Sequence, residues 1–100
     1  MGKVKLVWSF TAVHHFSNWI HHIAKDSIQA AQKERIGLLK AVEKLKIFPR
    51  SGRVVPEFGD SRLREIICKP IRIIYRMKRN EVRILSFHHA KRNLNKQIFS

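Results

Sequence analysis

The stretch Leu63–Arg92, LREIICKPIRIIYRMKRNEVRILSFHHAKR, constrains the fold more than any other part of the chain. β-Branched and aromatic residues fill it in three runs, so it reads as strands Leu63–Cys68, Ile71–Lys78 and Val82–His88. The breaks are Lys69-Pro70 and Arg79-Asn80-Glu81. Proline is tolerated in a sheet only at an edge, a first residue or a break, and Pro70 marks such a boundary. Alternation divides the middle strand into an Ile71, Ile73, Tyr75, Met77 face and an Arg72, Ile74, Arg76, Lys78 face. A guanidinium between isoleucines in a central strand is costly to bury without a counter-charge or solvent. Arg72 therefore needs a partner, and Glu65 or Glu81 could pair with it in the sheet.

Upstream, Lys3–Ser9 reads as a strand with Val4, Leu6 and Trp8 on one face and Lys3, Lys5 and Val7 on the other. Ser9 or Thr11 can cap a helix whose apolar stripe is Val13, Phe16, Ile20 and Ile23. Lys25-Asp26-Ser27 interrupts it, and Asp26 with Gln29 resembles a capping box that opens a longer helix. There the buried stripe is Ile28, Ala31, Leu38, Leu39, Val42 and Leu45. Gly37 in its interior costs about 1 kcal/mol against alanine, which points to a close packing contact. Phe48-Pro49 ends this helix, and a loop over Pro49–Ser61 follows. The order β-α-α-β-β-β predicts one α+β domain over residues 1–100, with two helices on one face of a small, largely antiparallel sheet.

Charge narrows the partners. The chain carries 21 Lys and Arg against 7 Asp and Glu, a formal net charge of +14, which favours a polyanion or an acidic protein. The lone Cys68 can form no internal disulfide and suits a reducing compartment, so a cytoplasmic location is expected. No apolar run approaches membrane-spanning length, and the N-terminal one is too short for a signal peptide. The histidines do not predict a metal site. His14–His21 and His15–His22 are seven residues apart, about 10 Å along a helix, while His88 and His89 alternate across a strand. Phosphate-cradling glycine loops and paired cysteines are also lacking, so no cofactor is expected. Trp8 and Trp19 fall at apolar positions and read as core.

The remaining chemistry lies in Arg53, Glu57, Arg62, Arg64, Arg72, Tyr75, His89, Lys91 and Arg92. The stretches SGRVVPEFGDSRLREIICKPIRIIYR and VRILSFHHAKR resemble, in order and spacing, the RelE/ParE superfamily of toxins from type II toxin–antitoxin modules. The opening strand and helical hairpin share that family's order and lengths. One departure is Ile71, where family members commonly carry an aromatic before the arginine. The resemblance implies a curved, four-stranded antiparallel sheet with two N-terminal helices packed on it. It also implies neutralisation by a cognate antitoxin whose extended C-terminal segment wraps the toxin, and the charge of +14 leads one to expect that segment to be acidic or amphipathic.

Two activities divide that superfamily. RelE-like and YoeB-like members cut mRNA on the ribosome, whereas ParE-like members poison DNA gyrase with no catalytic centre implied. Metal-free RNA cleavage needs a base for the 2′-OH, an acid for the leaving oxygen and a cation for the developing charge. By resemblance to YoeB-like toxins these would be Glu57, His89 and Arg72, with Arg53, Arg64, Lys91 and Arg92 holding nucleic acid. The tyrosine that follows the histidine in YoeB-like enzymes is Ala90 here. Because an acid, a base and a cation are all present, the sequence slightly favours the ribonuclease, with the gyrase inhibitor as the alternative.

Overall fold

The structure, a computed structural model, describes residues 4–94. Its elements are strand β1 (Lys5–Trp8), helices α1 (Phe10–Ala24) and α2 (Ile28–Glu43), then strands β2 (Arg53–Val54), β3 (Leu63–Cys68), β4 (Ile71–Lys78) and β5 (Glu81–His89). The strands form one sheet in the order β1-β5-β4-β3-β2. Three of its pairings are antiparallel, and β1 lies parallel to β5 through the register Lys5↔Glu81 to Trp8↔Ile84. The α+β architecture and the largely antiparallel sheet match the sequence reading. The expected four strands become five, because the short β2 pairs with β3 inside the segment read as loop. Lys3, placed in the first strand by its alternation, lies outside the described residues.

Both faces of the sheet are covered. Ile71, Ile73 and Tyr75 pack under the helices with Ala12, Leu38, Val42, Leu45, Val82, Ile84 and Phe87. On the other face Ile74 joins Val55, Leu63 and Leu94 in a smaller cluster. The 49–62 segment and the 92–94 tail thus roof the face that the helices leave open. Alternation along β4 forces this second core, because Ile74 would otherwise lie open to water. A bulge between Ile74 and Tyr75 shifts the register against β5, so that Ile74 faces Ser86 and Tyr75 faces Ile84.

The helices are capped by serines. Ser9 Oγ accepts from the Ala12 N–H at the start of α1 and donates to the Leu85 carbonyl, tying the helix to the edge of β5. β1 stops at Trp8, and His15 Nδ1 then takes the free Phe87 N–H of that edge at 3.3 Å. At α2 the cap is Ser27, which accepts from Ala30 N–H, rather than the Asp26 of the proposed capping box. The stripe of α1 is turned from the expected one. Ala12 is fully buried while Val13 is 48% exposed, and Trp19 packs beside Phe16 and Ile20. In α2 Ile28 is exposed, and the space around Gly37 is open. The close contact expected there does not exist. Before Pro49 the chain leaves the helix through a 3-10 turn at Lys44–Lys46. Among the described residues no helix is long and apolar enough to cross a membrane.

Candidate functional site

The residues of the SGRVVPE loop and the strand arginines meet in one charged seam between the loop, β3, β4 and the tail. At its centre is Arg72, whose partner across β5 is His88. Its Nε donates to Glu65 Oε1 at 2.6 Å, and Nη2 lies 2.5 Å from the same oxygen. Nη1 and Nη2 each donate at 2.8 Å to one oxygen of Glu57, a bidentate pair, and Nη1 also donates to the Arg92 carbonyl at 2.9 Å. All three nitrogens are engaged by protein acceptors. Of the two sequence-based partners for Arg72, Glu65 is correct. Glu81 instead pairs with Arg83.

Glu65 and Glu57 differ in their surroundings. Glu65 has a fully buried side chain shared between Arg72 and Arg53, whose Nε lies 2.5 Å from Oε2. Glu57 keeps 20% of its side chain exposed, and its Oε2 also accepts the Leu94 N–H at 3.2 Å. The Arg72 hydrogen bonds hold the Glu57 carboxyl down at about 2, with backbone N–H groups assisting. The same bonds hold the Arg72 guanidinium above its ordinary value.

Next to this seam Tyr75 is fully buried. Its hydroxyl donates to the Pro49 carbonyl at 2.8 Å and accepts the Gly52 N–H at 3.0 Å. A Cβ on Gly52 would stand 2.5 Å from the Glu65 carbonyl oxygen and 2.6 Å from the Tyr75 hydroxyl, so only glycine fits. Arg64 Nη1 donates to the Gly52 carbonyl and its Nε to that of Ser61. Glycine, tyrosine and three arginines of the motif thus fasten the loop onto the sheet.

His89 is not part of the seam. Its strand partner is Ile71, on the helix-covered face, and it lines a shallow 310 Å³ groove with His15, Trp19 and Phe87. The structure therefore brings Glu57 and Arg72 together and carries His89 to the other side of the sheet. Arg53 and Arg64 belong to the loop seam. Lys91 and Arg92 are exposed on the tail, with Lys91 N–H on His89 Nδ1 and the Arg92 carbonyl on Arg72.

The histidine that sequence reasoning passed over is His88. Its side chain is buried, its Nε2 is 2.8 Å from Ser86 Oγ, and its ring meets His15 edge-on at 5.2 Å. Burial pushes it down to about 4, and the nearby His15, Arg92 and Arg72 act in the same direction. The alternation that places Arg72 inward also places its neighbour across the strands inward, which is the signal that could have found His88. Trp19, read as core, packs at its margin and donates its Nε1–H to Glu34 at 2.7 Å. Among the described residues no three His, Cys, Asp or Glu side chains gather as a metal site would require.

The profile of a family described as "ParE toxin of type II toxin-antitoxin system, parDE" matches residues 6–94. Among solved structures, a chain of the "Chromosomal ParDE TA system from P. aeruginosa" is similar, with a TM-score of 0.73 at 18% identity. The alignment covers 89% of this chain and 98% of that one, and at such identity it speaks to the fold. Comparison with curated proteins gives no match.

Proposed function

Because the chain belongs to the ParE toxin family of type II toxin–antitoxin systems, we propose that it arrests growth by inhibiting DNA gyrase through binding, without catalysis of its own. A cognate antitoxin neutralises it. The slight preference for mRNA cleavage read from the sequence gives way to its alternative, since the matching profile is that of ParE toxins. The observation that carries this reading is the state of the would-be catalytic pair. A general base works best with a pKa near the operating pH. Glu57 is instead held at about 2, with both oxygens committed to Arg72. Arg72 in turn spends its nitrogens on protein carboxylates rather than presenting them to a phosphate. His89, the proposed acid, faces away from both. The arrangement is that of an ion-pair clasp.

The partner follows from charge. A chain at +14 with exposed Ile36 and Ile47 among lysines suits an acidic, amphipathic segment, as an antitoxin supplies. The test uses Glu57→Gln and His89→Gln, each checked for folding by circular dichroism. Both variants should remain toxic on induction, cellular mRNA should stay intact, and the purified protein should inhibit supercoiling by gyrase. Loss of toxicity in both folded variants, together with mRNA cleaved by the parent chain, would restore the ribonuclease reading.

A further inference from the structure

We propose that a second, basic groove at the turn end of β4 and β5 binds the phosphodiester backbone of nucleic acid. The groove has a volume of about 650 Å³ and is lined by Arg50, Arg62, Arg76, Lys78 and Arg79, with Glu81 as its only acidic residue among those described. It is separate from the Arg72 seam and includes none of Arg53, Arg64, Lys91 or Arg92.

Two observations point to a ligand. The first is how the arginines and lysines are used. In the seam they are consumed by carboxylates and carbonyls, whereas Arg50, Arg76, Lys78 and Arg79 make no side-chain hydrogen bond or ion pair among the described residues. Among the described residues the Arg62 side chain pairs with Asp60 alone, at 3.4 Å. The second is an unfavourable arrangement. Arg76 sits directly opposite Arg83 in the β4–β5 register, and like charges so placed destabilise a sheet. Glu81 relieves Arg83 at 3.3 Å, whereas Arg76 only feels the charge of Asp60, which is bound to Arg62, and forms no ion pair among the described residues. A sheet that holds this repulsion gains most from an anion laid across it.

The chemistry favours phosphate over a carboxylate-bearing peptide. Guanidinium forks match phosphate oxygens in pairs. A peptide partner would also want a prominent apolar anchor, whereas the apolar residues of the groove, Val4, Pro49 and Met77, are half-buried. A row of several unengaged basic side chains suits consecutive phosphates of one strand.

This proposal stands independently of the gyrase reading. Its test measures binding of the full chain to a labelled 20-base-pair DNA duplex and to a 20-nucleotide RNA across salt concentrations. On duplex each phosphate contact contributes about 0.9 to the log–log slope, so the triple variant Arg76→Ala, Lys78→Ala, Arg79→Ala should lower it by roughly 2.7. A control that removes the same charge elsewhere, Lys25→Ala, Lys33→Ala, Lys40→Ala, should leave the slope unchanged. Tighter binding of one nucleic acid assigns the groove to it, and equal binding assigns it to the backbone the two share. Should the triple variant lose its fold, Lys78→Glu with Arg79→Glu, both exposed, takes its place. An equal slope change in the control, no change in the groove variant, or displacement by polyglutamate as efficient as by DNA of equal charge would overturn the proposal.

Discussion

Arg72 stands in the middle of a five-stranded sheet, 4% exposed, and the fold accommodates it by bringing two carboxylates to it from different directions. Glu65 comes from the neighbouring strand and could be anticipated from sequence, because alternation puts it on the same face. Glu57 comes from a loop 15 residues away in sequence, and no local pattern announces that contact. Breaking such a cluster on one side leaves a buried charge without compensation. Arg72→Ala is therefore expected to destabilise the chain by about 3–5 kcal/mol in urea unfolding, because the buried Glu65 keeps only the largely exposed Arg53. A loss under 1 kcal/mol would show that the seam is not structural. The titrating groups set the pH dependence. His88 falls from 6.5 to about 4 on folding, so its contribution is complete above pH 6.5 and disappears as the pH drops towards 4. Glu57 falls from 4.5 to about 2, so its contribution is lost only between those values. Melting temperature should thus decline in two stages, and His88→Gln should flatten the first alone. A single decline below pH 4.5 in the parent chain would count against the buried histidine.

At the scale of elements, the sequence was most legible where packing on both faces dictates every residue. The bounds of β3 and β4 follow from their residue types and from Pro70, and β5 differs by one residue at each end. β2 escaped notice because two residues have no periodicity to read, and what ties it down is the contact of its Arg53 with Glu65 of β3. The parallel pairing of β1 was equally hidden, since alternation reports faces and says nothing of which neighbour a strand takes. Glycines and caps provide the tests. Apart from its chain neighbours and the surrounding backbone of α2, no atom of the described residues lies within 4 Å of a Cβ at Gly37, so Gly37→Ala should stabilise the chain by about 1 kcal/mol through helix propensity. Gly52→Ala should do the reverse, since its Cβ collides with the backbone of β3 and the Tyr75 hydroxyl. For the second helix, Ser27→Ala should cost about 1 kcal/mol and Asp26→Ala almost nothing. Thermal melts of the four variants check these directions, and equal losses at Asp26 and Ser27 would contradict the cap assignment.

The whole molecule carries +14 on a body with a radius of gyration of 13.4 Å. At 0.01 M salt the screening length is about 30 Å, so every charge feels the full excess, whereas at 0.15 M it is about 8 Å and only neighbours interact. The buried Arg72 pairs are little affected by that change, but the diffuse repulsion is. Raising sodium chloride from 10 to 150 mM should therefore raise the melting temperature by several degrees, where about 1 kcal/mol corresponds to 4–8 °C for a domain of this size. The basic groove concentrates the same effect. Replacing Arg76 with glutamine keeps most of the side-chain stem while removing the charge opposite Arg83. Arg76→Gln should thus be more stable than the parent chain at 10 mM salt, nearly equal to it at 150 mM, and weaker on nucleic acid at both. Stability lost to local repulsion and recovered through a ligand is the mark of a surface kept for binding. If Arg76→Gln proved less stable at low salt, Arg76 would be holding the sheet together, and the groove would lose its strongest support.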